Sequence, residues 1–167
     1  MMKKILSLLI SVLMFMTTSL TLPVSAYSEQ SNEIQGNIIS ETTEYFPDGS
    51  YATIIITEDS SALTKSSVYT KKGSKHYIAR NKDGVELWRF TINGTFTVNP
   101  GMSSTCTSST YNIGITESAW QNKSAYAYRS KNQAVGDATF IKKLLLITVE
   151  TKSCHVVLTC DENGKLS

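Results

Sequence analysis

The sequence predicts an all-β protein, an antiparallel β-sandwich of the immunoglobulin-like kind with about eight strands. One observation is a strict alternation over residues 87–98. Its six even positions are apolar or glycine, and five of its six odd positions are polar. The other is that strand-like segments alternate with turn signals, whereas no segment after residue 26 combines a helical period with caps. A closed β-barrel is the second choice.

Two hairpins open the predicted domain. Strands at 38–46 and 51–57 flank a Pro-Asp-Gly turn at 47–49, in which proline presets φ and glycine accepts a positive φ. The second hairpin begins with a strand at 66–80. It turns at 81–84, Asn-Lys-Asp-Gly, into the alternating strand.

The remaining strands are predicted from alternation and from apolar runs. Residues 144–149 are apolar at nearly every position, which is typical of a central strand covered on both faces. The other predicted strands span 103–115, 120–130, 134–140 and 154–160.

The chain begins with the features of a secretory signal peptide. Lys3 and Lys4 precede an apolar run at 5–16, and small residues, Val24 and Ala26, occupy the −3 and −1 positions of a cleavage site. An uncleaved anchor is the alternative, but hydroxyl residues interrupt the run and a spanning helix needs about 20 apolar residues. We therefore expect a secreted, extracellular protein with no stable membrane anchor.

Cleavage after Ala26 would separate the signal peptide from the mature chain. The mature portion is long enough for one domain with its own core. The predicted parts are a signal peptide at 1–26, a flexible leader at 27–36 and a single β-rich domain at 37–167, with an N-terminal hairpin at 37–58 and a main body at 65–167.

Charge is unevenly distributed along the chain. Because two of its 16 Lys and Arg residues belong to the signal peptide, the predicted mature chain balances its 14 Asp and Glu residues, and we expect no nucleic-acid partner. Residues 27–59 hold seven acidic and no basic residues, whereas 60–167 hold seven acidic and fourteen basic ones. We favour acidic N-terminal strands that lie against basic ones. A basic face for an anionic partner is the alternative.

Three cysteines, Cys106, Cys154 and Cys160, would lie in an oxidising compartment. Cys154 and Cys160 share a predicted strand, which separates them by about 20 Å. A disulfide tolerates at most about 7 Å between Cα atoms. Cys106 is therefore expected to bond one of the other two, and the remaining thiol is expected to be inert core, with a reactive thiol as the alternative.

Short motifs mark about residues 70–167 of the chain. They are Leu87-Trp88, Gly94-Thr95-Phe96, Ser104-Thr105-Cys106-Thr107, Trp120, Gly136-Asp137-Ala138 and Leu158-Thr159-Cys160-Asp161-Glu162-Asn163-Gly164. As a set they resemble an uncharacterised family of small secreted β-rich proteins from Gram-positive bacteria. The resemblance implies a compact β domain with a disulfide between Cys106 and Cys160, and it implies no activity. Cys154 departs from the family's two-cysteine pattern.

Motifs of catalysis and metal binding are missing from the sequence. It contains no Gly-x-Ser-x-Gly elbow, no His-Glu-x-x-His pair, no Cys-x-x-Cys pair and no glycine-rich phosphate loop. The two histidines, His76 and His155, are isolated on predicted strands, where structural or solvated roles are the usual ones. We predict a protein that is not an enzyme and has no catalytic residues, metal site or cofactor.

Aromatic and basic residues supply the candidate binding surface. Tyr126 and Tyr128 share one face of a predicted strand, with Arg129 and Lys131 on the other. Exposed tyrosines stack on sugars or contact a peptide, although inward packing is the commoner arrangement and the one we favour. The predicted function is a small secreted non-catalytic binding domain for a protein or for a cell-wall or host-surface glycan. A secreted antagonist, a bacteriocin-like toxin or inhibitor, is the alternative.

Overall fold

Turn-forming residues divide the chain into antiparallel strands in this computed structural model, which describes residues 34–59 and 68–167. The predicted signal peptide and most of the predicted leader lie outside the described residues. Within the described ranges, no helix is long and apolar enough to cross a membrane. The strands are β1 Asn37–Tyr45, β2 Tyr51–Glu58, β3 Tyr69–Arg80, β4 Glu86–Asn99, β5 Ser103–Ile115, β6 Trp120–Ser130, β7 Gln133–Leu144 and β8 Ile147–Thr159.

Glycines close the first two predicted turns. Gly49 and Gly84 have φ angles of 79° and 85°, a left-handed conformation that glycine adopts at little cost. The amide of Gly49 donates to the carbonyl of Phe46, and that of Gly84 donates to the carbonyl of Asn81. Both predicted hairpins are therefore confirmed.

The strands form two antiparallel sheets, one of five strands in the order β1-β2-β3-β4-β5 and one of three in the order β6-β7-β8. The predicted all-β architecture is confirmed, and the sheets do not close into a barrel. Within each sheet, consecutive strands are neighbours, so the connectivity is a meander rather than the Greek key of immunoglobulin domains.

The core lies between the inner faces of the two sheets. The alternating strand, β4, contributes side chains that are almost completely buried, and β7 and β8 face them with further apolar groups. Trp88 of β4 stacks on Phe140 of β7, with ring centroids 3.9 Å apart and planes inclined by 11°. The buried side chains of β4 that sequence alternation placed inside are Trp88, Phe90, Ile92, Phe96 and Val98.

The predicted central strand at 144–149 is wrong. Leu144 ends β7, Ile147 begins β8, and these two residues pair across a two-residue turn made by Leu145 and Leu146. The three strands predicted from 134 to 160 are therefore the two long arms of one hairpin. An apolar run without a period carries no signal for where a turn falls, and the pairing of β7 with β8 places this turn at an exposed tip.

Ion pairs join the acidic N-terminal segment to the basic remainder of the chain. Lys71 of β3 pairs with Glu58 of β2, and Lys152 of β8 pairs with Asp48 in the β1–β2 turn at 3.2 Å. The first contact fits the favoured interpretation of the charge distribution, in which acidic N-terminal strands lie against basic ones, and the second contact joins the two sheets.

The disulfide implied between Cys106 and Cys160 is not formed in this structure, in which all three cysteines are buried and free, so the pairing stays a prediction. Cys106 lies on β5 of the large sheet and its Sγ is 3.3 Å from the carbonyl oxygen of Ser108. Cys160 follows β8 of the small sheet, and its thiol likewise donates to a neighbouring main-chain carbonyl. Burial raises the pKa of Cys154 to about 12, which fits the inert core thiol expected there.

Candidate functional site

Tyr126 and Tyr128 lie side by side on the outer face of the three-stranded sheet. Their side chains are 56% and 45% exposed, and their rings are nearly parallel, with centroids 6.2 Å apart and planes inclined by 22°. The alternate residues Ala125 and Ala127 pack against the core instead. The favoured inward packing of the tyrosines is therefore wrong, because the small alanine side chains occupy the inner face of this edge strand.

Arg129 and Lys131 do not join the tyrosines in one surface. The Nη1 group of Arg129 donates to the carbonyl of Thr107 at 2.8 Å, which ties β6 to β5 of the other sheet. Lys131 lies in the β6–β7 turn with a φ of 53°, and its carbonyl accepts from the amide of Cys106 at 2.8 Å. The predicted four-residue surface thus divides into an exposed tyrosine pair and two residues that link the sheets.

Polar groups from β7 and β8 flank the tyrosines. The strand register places Asp137 opposite Tyr126 and His155 opposite Asp137, and the His155 Nδ1 atom is 2.7 Å from an Asp137 carboxylate oxygen. One step along the same face, the hydroxyls of Thr139 and Ser153 are 3.0 Å apart. Together with Tyr126, these residues line a cleft of about 340 Å³. We call this group, Tyr126, Tyr128, Asp137, Thr139, Ser153 and His155, the tyrosine face.

The carboxylate of Asp137 sets the chemistry of its tyrosine neighbour. Its negative charge and its hydrogen bond raise the pKa of the Tyr126 hydroxyl above the ordinary value, because a phenolate there would face a second anion. Tyr126 therefore remains a neutral group at physiological pH, with an apolar ring and a polar hydroxyl.

The contact between His155 and Asp137 resembles the base-and-orienter half of a catalytic triad. In the part of the chain that the structure describes, no serine, threonine or cysteine side chain is hydrogen bonded to the imidazole of His155. The nearby Ser153 hydroxyl bonds Thr139 instead. Residues 34–59 and 68–167 also contain no group of three histidine, cysteine or acidic side chains placed to hold a metal ion.

A second cleft, of about 410 Å³, lies where the β1–β2 turn meets β3, β4 and β8. The Lys152 Nζ atom at its rim is 3.2 Å from Asp48, 3.0 Å from the Ser50 hydroxyl and 5.4 Å from the centroid of the Phe46 ring. Hydrogen bonds from Ser50 and Lys152 lower the pKa of Asp48 to about 2. The charged groups at the rim are already paired with each other, so they are less available to bind a ligand. The apolar lining is Phe46, Pro47, Tyr51, Tyr77, Leu87 and Trp88.

Sequence reasoning missed the contribution of Asp137 and His155. Each is a polar residue between apolar neighbours on a predicted strand, which indicates an outward-facing position. Alternation within one strand gives no register between strands, however, and only the register aligns these residues with Tyr126. His76, the other histidine, is buried between Thr57 and Thr91 on the five-stranded sheet.

No family model, curated protein or solved structure matches the chain. The resemblance of about residues 70–167 to small secreted proteins of Gram-positive bacteria therefore stays a prediction. What the chain binds must be inferred from its own surfaces.

Proposed function

We propose that this protein is a secreted, non-catalytic binding domain whose tyrosine face recognises a glycan of a cell wall or host surface. The observation that carries the proposal is the exposure of two nearly parallel tyrosine rings on one strand. A single exposed tyrosine such as Tyr45 is ordinary, but two adjacent rings that lie nearly parallel form a continuous aromatic surface, which favours contact with a partner.

The composition of the tyrosine face suits a sugar. The apolar C–H face of a pyranose packs against an aromatic ring, while its hydroxyls need donors and acceptors around the ring edge. Here the Asp137 carboxylate, the His155 imidazole and the hydroxyls of Thr139 and Ser153 line the cleft beside the Tyr126 ring. A purely apolar partner would leave these groups without water or hydrogen bonds, at a cost in binding free energy.

Charge at the tyrosine face favours an uncharged ligand. The acidic and basic side chains that line the cleft beside Tyr126 are Asp137 and His155, and they contact each other. Among the described residues that line this cleft there is neither a cluster of basic side chains nor a group of several acids, so the face offers little attraction to a strongly charged polymer. We therefore expect neutral polysaccharides to bind in preference to polyanions.

A polysaccharide pull-down tests the proposal. The purified protein is mixed with insoluble cell-wall and host-type glycans and sedimented, and the bound fraction is measured for the wild type and for a Tyr126→Ala/Tyr128→Ala variant. We expect the wild type to bind at least one neutral glycan and the double variant to lose at least about tenfold in affinity, because both stacking rings are gone.

The control variant is Tyr45→Ala, which removes another well-exposed tyrosine from β1 of the other sheet. It should bind like the wild type. Equal binding by the wild type and the double variant would reject the tyrosine face as the site, and failure of the wild type to bind any glycan would reject the glycan proposal.

A further inference from the structure

The tip of the β7–β8 hairpin carries four consecutive large apolar residues, Leu144, Leu145, Leu146 and Ile147, which we call the leucine tip. Leu145 and Leu146 are 91% and 94% exposed, so their side chains contact almost nothing in the protein. Contiguous exposed apolar surface of this kind marks a contact site for a protein or a membrane.

The turn conformation makes these leucines unexpected on local grounds. Two-residue hairpin turns favour glycine, asparagine or aspartate, because one or both central residues need a positive φ. Leu145 takes a φ of 56°, where a residue with a bulky side chain is disfavoured. Neither local backbone preference nor core packing accounts for leucine here, which leaves an interaction outside the protein.

The shape of the leucine tip favours a lipid over a protein face. Side chains of consecutive hairpin residues point to opposite sides of the sheet, and the two turn residues project beyond its end. A protein partner would cover one side of such a projection and leave the other in water. The interior of a bilayer surrounds an inserted tip on every side, so the side chains on both sides of the tip are desolvated together.

Charge directly behind the leucine tip matches an anionic lipid surface. Lys142 and Lys143 precede Leu144, and neither takes part in an ion pair with any residue of the described ranges. Glu150 lies opposite Lys142 in the ladder, but its carboxylate is 3.4 Å from Lys152. Two lysines are therefore available at the height where lipid headgroups would meet the hairpin.

We propose that the leucine tip is a membrane-contact site, in which Leu145 and Leu146 enter the apolar layer of an anionic bilayer while Lys142 and Lys143 contact lipid phosphates. The attachment is peripheral and reversible, since one hairpin tip buries far less apolar surface than a spanning segment. The site is separate from the tyrosine face and does not depend on glycan binding.

Vesicle co-sedimentation tests this site. The secreted form of the protein, from which the predicted signal peptide at 1–26 has been removed, is mixed with vesicles of phosphatidylcholine alone or of equal parts phosphatidylcholine and phosphatidylglycerol, and the bound fraction is measured. We expect binding to the anionic vesicles that weakens as salt is added. Leu145→Ser/Leu146→Ser should lower the partition coefficient by about tenfold or more, because two apolar side chains no longer enter the bilayer.

Of two further variants, one is a control and the other measures the electrostatic contribution to vesicle binding. Met102→Ser alters another exposed apolar residue, in the β4–β5 turn, and should leave vesicle binding unchanged. Lys142→Gln/Lys143→Gln should weaken binding to the anionic vesicles and flatten its salt dependence. Thermal unfolding of all variants near the wild-type temperature would show that the fold is retained.

Three results would overturn the proposal. One is a wild type that stays in the supernatant with both kinds of vesicle. Another is equal vesicle binding by the wild type and the double leucine variant. The third is a wild-type dimer in sedimentation velocity that the double leucine variant abolishes while neither protein binds vesicles, which would assign the tip to a second copy of the chain.

Discussion

The inner face of β4 and the tip of the β7–β8 hairpin have similar apolar side chains and opposite surroundings. Phe90 and Ile92 of β4 are completely buried, whereas Leu145 and Leu146 at the tip are almost completely exposed. The apolar residues of β4 alternate with polar ones, so its sequence specifies one buried face. The tip residues follow one another without interruption, so their sequence specifies no face at all.

The two histidines repeat the same contrast between buried and exposed positions. His76 is buried, with Thr91 Oγ1 at 3.0 Å from its Nδ1 atom. His155 is exposed beside Asp137 on the tyrosine face. Residue type alone therefore does not show whether a histidine in this protein is structural or available for contact. The sheet and the face on which the histidine lies decide that.

The largest expected effect is at Leu158, a completely buried side chain of β8. Leu158→Ala should lower the free energy of unfolding by about 2–5 kcal/mol, because it removes buried methyl groups and leaves a cavity between the sheets. Urea unfolding followed by tryptophan fluorescence measures the change. A loss below about 1 kcal/mol would show that the sheets pack less closely at Leu158 than the structure indicates.

Lowering the pH should destabilise the folded protein through the buried His76. Burial lowers the pKa of His76 to about 4, below the ordinary value of 6.5, so the unfolded chain binds a proton that the folded protein does not accept between these limits. His76 therefore contributes stability above pH 6.5 that is lost as pH falls to about 4, up to about 3 kcal/mol. Urea unfolding at several pH values measures this loss.

Substitutions identify the group responsible for that pH dependence. His76→Gln should reduce the slope of stability against pH between 4 and 6.5. His155→Gln removes the exposed histidine and should leave most of the slope in place. The opposite ranking of the two variants would mean that the imidazole of His76 is accessible to protons in the folded protein.

Gly136 tests how closely the two sheets approach. It faces the core from β7, and a Cβ atom there would clash with Cδ1 of Ile92 and would lie 2.7 Å from Cγ1 of the same side chain and 3.0 Å from the Phe90 ring. Gly136→Ala should therefore cost about 1–3 kcal/mol through overpacking. Adding Ile92→Val, which removes Cδ1, should restore part of the loss if the clash with Ile92 is the cause. Independent, additive losses in the double variant would contradict that explanation.

Sequence reasoning was most successful where local chemistry determines structure. The alternation of β4 and the glycine turns at Gly49 and Gly84 depend on neighbouring residues alone, and the structure confirms them. The Leu145–Leu146 turn was missed because neither residue carries a turn signal. Contacts between residues that are far apart in the sequence could not be predicted either. The distance between Cys106 and Cys160 depends on how two sheets pack, and the alignment of Tyr126 with Asp137 and His155 depends on strand register.

The smallest expected effect is at Leu146, whose side chain is 94% exposed. Leu146→Ala makes the same chemical change as Leu158→Ala on the same strand pair. It should alter the free energy of unfolding by no more than about 0.5 kcal/mol, as is usual for surface substitutions. The leucine tip would then be free to contact a partner without any cost to folding.

The central claim is that the inner faces of the sheets hold the fold while the leucine tip and the tyrosine face remain available for contact. Parallel urea unfolding of the wild type, Leu146→Ala and Leu158→Ala tests it most directly. We predict coincident curves for the wild type and Leu146→Ala, and a much lower midpoint for Leu158→Ala. A midpoint for Leu146→Ala as low as that of Leu158→Ala would contradict the claim, because the tip would then belong to the core.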